Sequence, residues 1–240
     1  GKVFTLSLDY INSQTQGWIG YLLEKHIRNE LKKNVATLIT LVQVDPNDEA
    51  FLNPTKFIGR FFDSQESKEL SLKYGWKFKE DSNRGYRVVV PSPKPIKILS
   101  KEAIVKLLES GFIVIAVGGG GIPVVLEHNR YIRGIEAVID KDLASSLLAI
   151  EINADLFIIL TEVEKVYLNY NKENQKALDI VKVSEIEKYY YEGHFPDGSM
   201  GPKILAVIEF VKRTNKKAII TSLDNAYEGY LGKTGTIIVP

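Results

Sequence analysis

The 240-residue sequence contains no cysteine. Disulfides, thiol nucleophiles and zinc–thiolate sites are therefore excluded, and a cytoplasmic location is the default expectation. Histidine is scarce: His26, His128 and His194 are scattered, and their spacing does not support a three-histidine metal site. No apolar run is long enough to span a bilayer, and no signal-peptide pattern is present. An excess of charge is missing too. Lys and Arg number 31 against 30 Asp and Glu, a formal net charge of +1, so nothing asks for nucleic acid or an anionic membrane as partner. There is no internal repeat and no low-complexity tract. With 45% apolar residues, the length suits one large domain or a domain with a smaller attachment.

What is present is most informative at Gly198-Ser199-Met200-Gly201-Pro202-Lys203, which runs into Ile-Leu-Ala-Val-Ile-Glu-Phe-Val-Lys. This reads as a loop that becomes a helix, with Pro202 suited to the first helical position. Lys203 then lies in the first turn, where the partial positive charge of the helix end disfavours a cation. Two readings follow. Either Lys203 is a solvated surface lysine, or an anion such as phosphate completes the site. In the second, replacing Lys203 costs activity and barely changes stability.

The rest of the chain alternates. Residues 14–33 carry Trp18, Ile19, Leu22, Leu23, His26, Ile27 and Leu31 at helical steps, which predicts an amphipathic helix with His26 half-buried in the core. A β-rich run, Val35 to Val44, ends at Asp45-Pro46-Asn47-Asp48. Residues 46–99 are richer in charge, aromatics and proline. They read as an inserted, lid-like subdomain with a short helix near Glu66–Lys73 and a strand at Val88–Val90. From residue 100 the pattern is α/β: a helix capped by Ser100, a buried strand over 112–117, a hairpin around His128-Asn129, and a strand at 134–139. Then come a helix near 142–152, a strand at 156–160, helices near 184–192 and 202–214, and strands at 218–221 and 236–239. The expectation is a three-layer α/β/α sandwich with a mainly parallel central sheet. Residues 1–45 and 100–240 form its body, and 46–99 the insert.

Three places could do chemistry. Gly118-Gly119-Gly120-Gly121 follows a buried strand, where glycine amides can approach an anion; the alternative is a permissive tight turn. Asp140-Lys141-Asp142 opens a helix, with Asp142 as its cap and as the group that orients a lysine. Asn53-Pro54-Thr55-Lys56 reads, alone, as an Asn-Pro turn, and Arg84 and Arg87 as solvated arginines. Lysines around glycine-rich backbone are what phosphoryl transfer needs, because its transition state asks for positive charge and little covalent help.

Taken together, the motifs resemble the carbamate kinases of the amino acid kinase superfamily. The matching stretches run in order: Ser13–Tyr21, Asn53–Lys56, Val89–Pro93, Gly118–Pro123, Glu136–Ala144, Asn153–Asp155, Glu192–Phe195, Gly198–Lys203 and Gly232–Thr236. The resemblance implies a reversible transfer in which ATP and carbamate give ADP and carbamoyl phosphate, with Mg²⁺ carried on the nucleotide phosphates and not by side chains. It implies a homodimer working toward ATP in arginine catabolism. It places Lys141 and Lys203 on the transferring phosphoryl group, Asp142 as their orienting partner, and Lys56 on the carbamate side. Gly118, Gly119, Gly120 and Gly121 would line the substrate pocket, and Thr161, Val163, Tyr167, Ser199 and Met200 would hold the nucleotide.

The sequence departs from the family pattern in three places. It starts at Gly1-Lys2-Val3, after the family's Gly-Gly-Asn and His-Gly-Asn-Gly-Pro loops, so a protein limited to these residues is expected not to make ATP. Arg84-Gly85-Tyr86-Arg87-Val88 has one guanidinium fewer than the family run, and Thr161-Glu162-Val163 replaces Thr-Asp-Val. A non-catalytic paralogue or assembly subunit, and a kinase of another small carboxylate or phosphonate, stay open beside the carbamate kinase reading.

Overall fold

The computed structural model describes residues 6–81, 84–196 and 198–240; Gly1, Lys2 and Val3 lie outside them. The chain divides into two units, Gly1–Lys141 and Asp142–Pro240.

The first unit contains α1 (Leu8–Leu31), β1 (Val35–Thr37), β2 (Leu41–Gln43), β3 (Lys56–Phe62), α2 (Ser64–Tyr74), β4 (Phe78–Glu80) and β5 (Tyr86–Val90). It continues with β6 (Lys97–Ile98), α3 (Lys101–Glu109), β7 (Ile113–Ile115), β8 (Ile122–Leu126) and β9 (Ile132–Gly134). β1 and β7 pair in parallel. A four-stranded sheet runs β6-β2-β8-β9, and a separate three-stranded sheet, β3-β5-β4, is built wholly from residues 56–90. α2 follows its sequence signals: Asp63 caps it by accepting from the amides of Gln65 and Glu66, and Gly75, left-handed at φ 71°, ends it. Near α2, the ring of Trp76 stacks on Tyr74. Ser100 does hold the cap position of α3, but its side chain makes no cap hydrogen bond.

Four expectations change here. α1 starts earlier than predicted and presents its apolar residues to solvent: Trp18 is 68% exposed, with Tyr10, Ile11, Ile19, Leu23 and Leu31 also exposed. His26 is exposed with them, because the buried positions of α1 are Gln16 and Gly20. The run 112–117 is a three-residue strand that is only half-buried; Val117 leaves the strand with φ 58°. Residues 135–140 are not a strand. Their amides go elsewhere, from Ile135 to the Pro123 carbonyl and from Val138 to the Pro91 carbonyl. Arg84 and Arg87 are tied down and not simply solvated: both pair with buried Asp81, at 3.2 and 3.1 Å, and both lie against the Phe61 ring.

The second unit takes α4 (Lys141–Glu151, its first residue shared with the boundary), β10 (Phe157–Thr161), β11 (Val166–Leu168), β12 (Lys176–Leu178), β13 (Ile180–Lys182) and α5 (Val183–Tyr191). α6 (Met200–Thr214), β14 (Ala218–Ser222), α7 (Ala226–Tyr230) and β15 (Thr236–Val239) complete it. Its sheet runs β10-β14-β15-β13, with β10·β14 and β13·β15 parallel. β14 is buried along its whole length, as an apolar run between two neighbours should be. The core of this unit packs α6, through Ile204, Val207, Phe210 and Val211, on Phe157, Ile159 and Ile220. Asn215 closes α6 in the left-handed conformation. No helix among the described residues is long and apolar enough to cross a membrane.

One local contact in the first unit is pH-sensitive. Glu24 accepts from the Thr37 amide and pairs with Arg28, each at 2.9 Å. Hydrogen bonding by Thr37, then by Arg28, holds its carboxyl below the ordinary glutamate value. Its stabilising effect is therefore present above the ordinary carboxylate range and is lost as pH falls through the depressed value. Glu24→Gln should flatten that part of the acid limb in thermal melts taken between neutral and acid pH, and an unchanged limb would contradict it.

Candidate active site

In the first unit, Lys56 opens β3 two residues after buried Pro54 and pairs in register with Val90 of β5. The next residue, Pro91, accepts from Val138 at 3.0 Å. Two positions further on, buried Asp140 accepts from Lys56 Nζ at 2.6 Å. Asp140 was visible in the sequence only as the start of Asp-Lys-Asp. Its partner is 84 positions away, and no local signal announces the pair.

The four glycines divide into two kinds. Gly118–Gly120 form a 3₁₀ turn. A Cβ on Gly120 would stand 2.2 Å from the Ile139 carbonyl oxygen, and one on Gly121 2.3 Å from Val42 Cγ2. These two are buried, and packing alone requires them to be glycine. The amides of Gly120, Gly121 and Ile122 already bond to the carbonyls of Val117, Gly118 and Thr40. Gly118 and Gly119 are exposed and are the pair a ligand can reach. They edge an apolar hollow lined by Ile19, Leu23, Leu38 and Ile115. Behind the turn, Thr40 Oγ1 accepts from the Val117 amide and Gln16 Oε1 from the Thr40 amide, each at 2.9 Å. Gln16 Nε2 is buried without a hydrogen-bond partner among the described residues.

In the second unit, α6 starts at Met200, so Pro202 is its third residue, still in the turn whose amides lack intrahelical partners. α4 starts at Lys141, so Asp142 is its second residue and not its cap. The Asp142 side chain instead accepts from Lys203 Nζ at 2.9 Å, with side-chain exposures of 9% and 13%. One turn along, Ser146 Oγ donates to the Ala206 carbonyl at 2.7 Å. Ser146 is four residues after Asp142 and Ala206 three after Lys203, so two contacts on matching helix faces fix both side chains. Lys203 opposes the α6 dipole, while Asp142 suits that of α4; the pair gives the misplaced cation a counterion within the protein. Lys141, one residue earlier in the chain, is exposed.

The nucleotide candidates also lie in the second unit. Thr161 ends β10 opposite Ser222 of β14, and the Leu223 amide donates to the Thr161 carbonyl. Val163 is half-buried in the bend that follows. Tyr167, in β11, packs near Tyr170 with ring centroids 5.8 Å apart. Ser199 is exposed at the cap position of α6 without a cap hydrogen bond, and Met200 packs on the core. The hydroxyl of Thr221, beside Ser222, is buried without a partner among the described residues; nothing in the sequence singled it out. The described residues contain no group of three or more His, Cys, Asp or Glu that could hold a metal ion.

The family model described as "Amino acid kinase family" matches residues 25–222. The chain belongs to this family. It is 52% identical to the carbamate kinase of Pyrococcus horikoshii, over 97% of this chain and 76% of that one. It is 53% identical to the carbamate kinase-like protein YqeA of Escherichia coli, over 93% of this chain and 74% of that one. The solved structure of Giardia lamblia carbamate kinase bound to AMP-PNP superposes with a TM-score of 0.89 at 43% identity, covering 100% of this chain and 77% of that one. The α/β class expected from the alternation of elements is therefore the amino acid kinase fold, and the resemblance carried by the motifs holds.

Two stability predictions follow from this geometry. Gly120→Ala adds a Cβ against backbone at φ 108°, whereas Gly119→Ala, at φ 65° with nothing within 4 Å, meets only the left-handed penalty of about 1–2 kcal/mol. Urea unfolding should show the larger loss at Gly120; equal losses would refute the packing account. Lys203→Ala removes the cation that buried Asp142 meets at 2.9 Å, so it should destabilise by on the order of 3 kcal/mol. That reverses the expectation of unchanged stability, and a calorimetric midpoint equal to wild type would refute it.

Proposed function

We propose that this protein catalyses reversible phosphoryl transfer between ATP and carbamate, giving ADP and carbamoyl phosphate. The observation that carries the reading is its 52% identity to a carbamate kinase over nearly the whole chain. Two lysines held by buried aspartates support it chemically. Phosphoryl transfer is accelerated by fixed positive charge around the migrating group, and a lysine already held by a carboxylate loses little further freedom when substrate binds.

In this reading Lys203 and Lys141 meet the transferring phosphoryl group and the nucleotide phosphates, and Asp142 orients Lys203. Lys56, carried by the small domain of residues 46–99, serves the carbamate side. Gly118 and Gly119 offer backbone to the substrate, while Gly120 and Gly121 hold the shape of the turn. Thr161, Val163, Tyr167, Ser199 and Met200 surround the nucleotide. A divalent cation, Mg²⁺ in our reading, neutralises the nucleotide phosphates when bound. It suits a donor set in which Asp140 and Asp142 are each engaged by a lysine. The protein is a cytoplasmic homodimer that makes ATP in arginine catabolism; the exposed apolar residues of α1 supply a surface of the kind subunits cover.

The test is ATP formation from ADP and carbamoyl phosphate with Mg²⁺. The natural protein, as distinct from one limited to these 240 residues, should turn over, and its Lys203→Ala variant, assayed well below its own unfolding midpoint, should lose on the order of 10²–10³ in kcat. Near-normal turnover in that variant would overturn the role of Lys203. A wild type that binds ADP but never makes ATP would favour a non-catalytic paralogue, a reading raised by the carbamate kinase-like relative at 53% identity.

A further inference from the structure

The carboxylate that holds Lys56 sits on backbone fixed from two sides. Val138, two residues before it, is bonded to Pro91 at the end of β5. The Ile139 carbonyl, one residue before it, fills the space that Gly120 leaves. Ala137 and Ile139 are fully buried. Lys56 differs: its side chain is a flexible four-carbon stem, 31% exposed against 10% for Asp140. When a mobile cation meets a fixed anion, the anion sets where the charge rests.

We propose that Asp140 is the positioning residue for Lys56 in phosphoryl transfer, an inference that rests on the carbamate kinase reading above. Asp140 acts through the lysine and touches no substrate. It holds the ammonium at one place before substrate arrives, so the charge is not ordered anew in each turnover.

Asp140→Asn, Lys56→Ala and the double variant test this. The asparagine keeps the size and loses the charge. Its kcat should fall on the order of 10–100-fold, the scale of losing a group that orients a working one, with KM for ADP unchanged. In the Lys56→Ala background it should cause no further loss. A second readout needs no turnover. Limited acetylation with acetic anhydride, read by peptide mass spectrometry, should modify Lys56 several-fold faster in Asp140→Asn than in wild type, with Lys203 unchanged. If that variant does not fold, Asp140→Glu carries the test: a displaced carboxylate should lower kcat while labelling of Lys56 stays slow, and full kcat would overturn the proposal. Additive losses in the double variant, or unchanged labelling of Lys56 in Asp140→Asn, would overturn it. So would a higher kcat/KM in Asp140→Asn, which would make the pair a competitor of substrate. A wild type without turnover, combined with faster labelling in the variant, would overturn the reaction and leave the ion pair standing.

Discussion

The arrangement of the first unit depends on an empty position. Gly120 has no side chain, and the Ile139 carbonyl lies where a Cβ would go. That close approach lets an irregular segment run against the glycine turn, and the segment delivers Asp140 to Lys56. A helix could not follow the same path, because the amides of Ile135 and Val138 bond to the carbonyls of Pro123 and Pro91 and not to residues four positions earlier. The glycine thus shapes the path of the segment that carries Asp140. It is a spacing device, and the exposed Gly118 and Gly119 beside it are free for a different task.

In the second unit the governing interaction is electrostatic. A lysine near the start of α6 is unfavourable by itself, and an aspartate buried in the first turn of α4 needs a partner. Each removes the other's penalty. The desolvation cost of such a pair means that it contributes little net stability compared with apolar packing, yet losing one partner is expensive. The surrounding core of Ile204, Val207, Phe210 and Val211 on Phe157, Ile159 and Ile220 provides the stability that the pair does not.

Much of this was legible in the sequence. The helices at 141–151, 183–191 and 200–214 and the strands at 157–161, 218–222 and 236–239 fall within a few residues of the positions read from periodicity and breakers, because each is a long apolar pattern inside a packed unit. Motif order identified the family. The errors have physical sources. The apolar steps of α1 predict a buried face, but periodicity reports which residues share a side and not whether that side is covered. The run 112–117 looked like a fully buried strand, but it turns left-handed at Val117. The polyglycine run looked like one ligand loop, although half of it answers to packing. The pairs Lys56–Asp140 and Lys203–Asp142 span 84 and 61 positions, and no local pattern encodes such distances.

The two tryptophans, Trp18 and Trp76, both belong to the first unit, and both are exposed. The second unit, with the α6 core and the Asp142–Lys203 pair, has no indole at all. Intrinsic fluorescence excited at the red edge of the protein band is therefore a one-sided spectrometer for this molecule. It reads solvent around α1 and the end of α2, starts from an already water-shifted emission, and has no reporter inside the second unit. Following that half calls for tyrosine signals, far-ultraviolet dichroism or a tryptophan introduced on purpose.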